Sequence, residues 1–109
     1  MIDWTRVDEL RREVGEEDFP EVVEIFLEEV DEVFTRLPES AANESLSEDL
    51  HFLKGSAASL GFAGLTALCA TGERLCTQGN AAAVSITELK NGYLAEREEF
   101  LARFRQEAA

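Results

Sequence analysis

Basic residues are scarce in this sequence: ten lysines and arginines stand against 23 aspartates and glutamates, giving a formal charge of −13 over 109 residues. Nucleic acids and anionic membrane surfaces attract lysine and arginine, so that balance excludes both as partners. Long apolar runs are missing too, which excludes a membrane span, and the acidic start Met1-Ile2-Asp3-Trp4 does not resemble a cleaved signal. A cytoplasmic location is expected. The two cysteines, Cys69 and Cys76, lie seven positions apart on one predicted helix and hence about 10 Å apart, too far for a disulfide. They form no CxxC pair, and a chain with a single histidine cannot assemble a zinc-ligand set, so no metal site is expected. Small buried residues in a reducing compartment is the expected role of both. No glycine-rich phosphate loop is present, and the length leaves no room for a nucleotide lobe beside a core. Any ATP-dependent step therefore happens elsewhere. Strand-like alternation, internal repeats and low-complexity segments are absent as well.

What is present is helical periodicity. Asp3 or Thr5 caps a short first helix running to about Val14, with Val7, Leu10 and Val14 on its apolar face and Gly15 as its stop. Asp18-Phe19-Pro20 opens the second helix, the aspartate as cap and the proline in the first turn. Val22, Val23, Phe26, Leu27, Val30, Val33, Phe34 and Leu37 repeat at three and four, and Pro38 ends it. After a polar connection over 38–44, Ser45 and Glu48 have the spacing of a capping box for a third helix closed by Gly61. A fourth runs from about Ala63 to Gln78, with Leu65, Leu68, Cys69, Gly72, Leu75 and Cys76 inward and Gly79 at its end. Asn80 caps the last and longest, which carries Val84, Ile86, Leu89, Tyr93, Phe100, Leu101 and Phe104 toward Glu107, with Gly92 as a local weak point. Short connections make sequential helices antiparallel. The expected fold is an all-α, up-down-up-down four-helix bundle with a short extra N-terminal helix, one domain over 1–109.

The third helix carries the only histidine. Leu46, Leu50, Leu53, Ala57 and Leu60 fall on one stripe, and His51 projects roughly 145° from its centre, on a face shared with Glu48, Gly55 and Ser59. The imidazole should face water. Lys54 and Gly55, three and four residues on, are its neighbours on the next turn. A glycine inside an otherwise good helix costs on the order of 1 kcal/mol relative to alanine, and close approach of another molecule supplies a reason for it. Ser56 lies on the side away from His51, where a hydroxyl packs against a neighbouring helix.

The run His51-Phe52-Leu53-Lys54-Gly55-Ser56-Ala57, followed by Leu60-Gly61, resembles the signature of the histidine-containing phosphotransfer (HPt) family, with the strong match spanning about residues 46 to 77. That resemblance implies a phosphocarrier without kinase activity of its own, passing a phosphoryl group between receiver-domain aspartates through Nε2 of His51. Such a nucleophile needs a lone pair on Nε2, so Nδ1 must hold the proton and preferably donate it. Glu73, flanking the inward stripe of the fourth helix by roughly 90°, is the candidate acceptor. Lys54 would balance the phosphoryl charge, and Gly55, Ala58, Glu48 and Ser59 would form the docking face. The implied partners are receiver domains of response regulators and of a hybrid histidine kinase, which bring the Mg²⁺, so no cofactor is expected here. A monomer is expected, and the initiating Met1 with a complete bundle makes it a free-standing one. Where the sequence departs from many relatives is Ser47-Glu48-Asp49, which sets acid beside the docking face and bears on receiver choice. An adaptor that binds a kinase or receiver without carrying phosphate is the alternative. An enzyme using His51 as general base would need a pocket and further catalytic groups that the sequence does not offer.

Overall fold

The computed structural model of the chain describes residues 1–37 and 44–108. It contains α1 (Trp4–Val14), α2 (Phe19–Arg36), α3 (Glu44–Leu60), α4 (Ala63–Thr77) and α5 (Ile86–Ala108), with a single 3₁₀ turn at Ala81–Ala83. Among the described residues there is no strand, only an isolated bridge between Ile2 and Phe62. Helices α2 to α5 form the antiparallel bundle: Phe19 meets Phe104 while Phe34 meets Tyr93, and Gly64 meets Glu96 while Gly92 meets Leu68. The body is elongated, 45 × 21 × 20 Å.

Apolar periodicity explains these helices. Leu46, Leu50, Leu53, Ala57 and Leu60 are all buried, as are Val23, Leu27, Val30 and Phe34 of α2. Aromatic rings fill the end of the core beneath α1: Phe62 and Phe100 lie 5.6 Å apart, and Trp4 stacks on Phe100 at 5.8 Å. Helix α1 closes that end. Its guanidinium Arg6 Nε donates to the Ser59 carbonyl at 3.0 Å, and the Asp3 amide donates to the Gly61 carbonyl at 2.7 Å.

Three helix ends differ from the sequence expectation. Asp3 does cap α1, accepting from the Arg6 amide, but Asp18 makes no side-chain cap for α2. Its backbone is already helical (φ −89°, ψ −15°), and the second residue of the helix, Pro20, has no amide to donate to it. Ser45 is not the cap of α3, because that helix already includes Glu44. Asn80 does not cap α5 either. The chain spends residues 81–83 in the 3₁₀ turn, Val84 is extended, and the Ser85 hydroxyl accepts from the Glu88 amide at 3.1 Å to start the helix at Ile86. Pro38 and the rest of that connection lie outside the described residues.

Two close approaches fix α4 against its neighbours. A Cβ at Gly72 would stand 3.0 Å from Leu50 Cδ1, and one at Gly92 would stand 2.8 Å from Leu68 Cδ1, so both glycines sit where the helices approach closely. Glu96, buried on the apolar stripe of α5, accepts from the Gly64 amide at 2.9 Å and the Leu65 amide at 2.8 Å, capping α4 from another helix. The Met1 nitrogen lies 2.7 Å from the same carboxylate.

Gly61 turns α3 into α4. With φ 85° it lets the Phe62 amide reach the Ala57 carbonyl (2.8 Å) and its own amide the Ala58 carbonyl (3.3 Å), the Schellman pattern. An added Cβ would lie 2.8 Å from the Asp3 carbonyl oxygen. Gly61→Ala is therefore expected to destabilise the protein by about 2 kcal/mol or more, summing left-handed strain and a backbone clash that cannot rotate away. Urea unfolding of the two proteins measures it.

Candidate functional site

The approach of Leu50 to Gly72 brings the outer edges of α3 and α4 together one residue further on in each helix. There, His51 Nδ1 lies 3.4 Å from Glu73 Oε2, and Lys54 Nζ lies 2.9 Å from Glu73 Oε1. One carboxylate thus joins the imidazole and the ammonium. The His51 contact is at the long end of hydrogen bonding, while the Lys54 contact is a close ion pair. The His51 side chain is 76% exposed, whereas that of Glu73 is 22% exposed. With Nδ1 turned toward the seam, the ring edge carrying Nε2 is turned away from it.

The Lys54 ammonium holds the Glu73 carboxyl below the usual carboxylate range, with the His51 contact acting in the same direction and burial opposing both. The lowered value makes this ion pair a stabilising contact that is complete above about pH 4.5, the ordinary glutamate value, and lost as pH falls through the lowered one. Glu73 is ionised near pH 7. Cys69, one turn before it, is the opposite case: burial, then the Glu73 charge, pushes the thiol up to about 12. It is an inert core group.

A family model for the Hpt domain matches residues 21–109. The chain belongs to the Hpt domain family. No curated protein and no solved structure gives a significant match. Hpt domains are helical bundles that serve histidine phosphotransfer in the phosphorelays of two-component signalling, and they contact receiver domains and kinases. Helix α1 lies ahead of the matched Hpt segment. Among the described residues, no helix is long and apolar enough to cross a membrane.

In this Hpt bundle the sequence-predicted residues do not form one cluster. His51, Lys54 and Glu73 come together. Gly55 and Glu48 are exposed on the His51 face, and nothing lies within 4 Å of where a Gly55 Cβ would be. Ala58 is exposed and lines a shallow groove with Ala67 and Ala70 of α4. Ser59 is half-buried at the end closed by α1, its carbonyl taken by Arg6. Ser56 is buried on the far side of α3. Asp49 does not stand as free acid beside His51: its carboxylate pairs with Arg36 of α2 through two contacts of 3.2 and 3.3 Å, and its side chain is only 14% exposed. Phe52, beside His51, is 41% exposed, a large apolar side chain that the sequence reading does not single out as part of the site. Its signal is its place on the helix, roughly 120° off the leucine stripe.

Proposed function

We propose that this Hpt domain relays a phosphoryl group between receiver aspartates, with Nε2 of His51 as the transient carrier. The observation that supports this reading is the exposed imidazole with Nδ1 against an ionised carboxylate. A proton held on Nδ1 and shared with Glu73 leaves the Nε2 lone pair outward. That lone pair attacks the phosphorus of an aspartyl phosphate; the N–P bond forms, the P–O bond to the aspartate breaks, and the aspartate departs as a carboxylate. The ring keeps its Nδ1 proton and becomes cationic, a charge that Glu73 opposes at 3.4 Å. Transfer onward reverses the same bonds.

Lys54 sits one helical turn from the imidazole with its ammonium on Glu73, placed to share that carboxylate or meet the incoming phosphoryl charge. Gly55, Glu48, Ala58 and, at the margin, Ser59 are the surface that a receiver covers. The Mg²⁺ that assists transfer belongs to the receiver, and the protein has no cofactor or ATP-dependent activity of its own. It works in the cytoplasm as a monomer.

Glu73 and Lys54 should differ in kind. Glu73→Ala removes the acceptor for the Nδ1 proton, so the share of the ring with that proton falls and uptake slows about fivefold, the worth of one long, exposed hydrogen bond of about 1 kcal/mol. Lys54→Ala leaves the tautomer unchanged and shortens the lifetime of the phosphorylated protein by about two- to fivefold, one partly screened ion pair. Imidazole ¹⁵N shifts and the decay of the adduct read the two effects separately. Binding of a receiver without any adduct on His51 would replace this reading with the adaptor one.

A further inference from the structure

We propose that Phe52, with the α2 bank facing it, is the contact by which this protein selects its receiver, and that the selected receiver presents an apolar surface flanked by lysine or arginine. This rests on the phosphotransfer reading above and adds the chemistry of the partner. Phe52 follows His51 directly, so their Cα atoms are about 3.8 Å apart. A stable protein contact covers about 800 Å² on each partner, a patch roughly 16 Å in radius. Any protein that brings a phosphorus atom to Nε2 therefore also reaches Phe52.

Among the described residues nothing covers this ring fully, and it stays 41% exposed. It borders a shallow groove of about 350 Å³ between α2 and α3, lined also by Val33, Glu29, Glu32, Arg36 and Asp49. Arg36 and Asp49 neutralise each other across the groove, which leaves Glu29 and Glu32 as its unbalanced charge, both exposed on α2. The surface offered beside the phosphoryl acceptor is thus an aromatic anchor with an acidic bank. Aromatic residues are the side chains most enriched at energetic centres of interfaces, and charges at the rim govern which partner is accepted and how fast. A second copy of the chain is disfavoured as occupant, because it would set like acidic banks together on two bodies of formal charge −13 each.

The test uses the full chain, phosphoramidate as a small phosphodonor that needs no docking surface, and a panel of purified receiver domains preloaded with acetyl phosphate. The receiver that transfers fastest to the unmodified protein is the probe. Phe52→Ala is expected to raise its KM about tenfold. Glu29→Lys with Glu32→Lys is expected to raise it as well, by a factor that shrinks toward one as salt rises to 1 M. Labelling of His51 by phosphoramidate stays at the unmodified rate in both variants. Unchanged transfer from the receiver in both variants, with normal phosphoramidate labelling, overturns the docking proposal alone. Failure of the unmodified protein to acquire phosphate on His51 from either donor overturns the phosphotransfer reading and the docking proposal with it.

Discussion

His51→Gln is expected to abolish phosphoryl uptake completely while leaving the fold as it is. The loss is total because the chain has no other histidine to carry the group, and the buried Cys69 thiol is pushed up to about 12. The fold is spared because the imidazole is exposed and its one named contact, to Glu73, is long. Glutamine keeps an amide within reach of that carboxylate, so the change in stability should stay within about 0.5 kcal/mol, as for ordinary surface substitutions. Acid-labile phosphate after incubation with a phosphorylated receiver, together with a urea unfolding curve, checks both halves.

Gly55→Gln is the second large effect, and its two consequences run in opposite directions. No heavy atom lies within 4 Å of the position a Cβ would take, and the residue is not in a left-handed conformation, so the fold itself does not require glycine. Stability should rise by about 0.5 to 1 kcal/mol, the ordinary gain on replacing a helical glycine. Transfer from a receiver should fall about a hundredfold, because a long side chain one turn from the imidazole holds the aspartyl phosphate away from in-line contact with Nε2. A tighter fold with slower transfer is a combination that a purely structural glycine does not produce. Parallel unfolding and rapid-quench transfer measurements would show it.

The local parts of this protein are legible in its sequence. Leu46, Leu50, Leu53, Ala57 and Leu60 recur at helical spacing and are all buried, and the same spacing turns His51 outward as observed. Helix ends are less secure because the signals compete. Asn80 comes first along the chain and reads as a cap, yet Ser85 and Glu88, a serine and a glutamate at capping-box spacing, bracket the true start of α5. Asp18 has the right side chain, but its own backbone is already helical and Pro20 offers it no amide. Glu96 falls on the apolar stripe of α5, so its burial is readable, while its partners Gly64 and Leu65 are brought to it only by the packing of α4 on α5.

The same division holds at the site. The neighbourhood of His51, Lys54 and Gly55 follows from one helical turn. Glu73 is readable as a residue flanking the inward stripe of α4, but its meeting with both His51 and Lys54 depends on how closely α4 packs on α3 where Gly72 faces Leu50, a tertiary approach that one helix's periodicity does not encode. Asp49 shows the reverse error. Its place in the run Ser47-Glu48-Asp49 reads as acid beside His51, although at 100° per residue it falls about 60° from the centre of the leucine stripe, where the Arg36 guanidinium of α2 meets it.

In the proposed relay, Nε2 of His51 carries the phosphoryl group while Nδ1 keeps its proton. Its most direct measurement is ³¹P and ¹⁵N NMR of the full chain, labelled at the imidazole nitrogens, after reaction with a phosphorylated receiver. One acid-labile adduct on His51 is expected, with ³¹P coupled to Nε2 and the proton on Nδ1. Coupling to Nδ1, or phosphate on any residue other than His51, would contradict it.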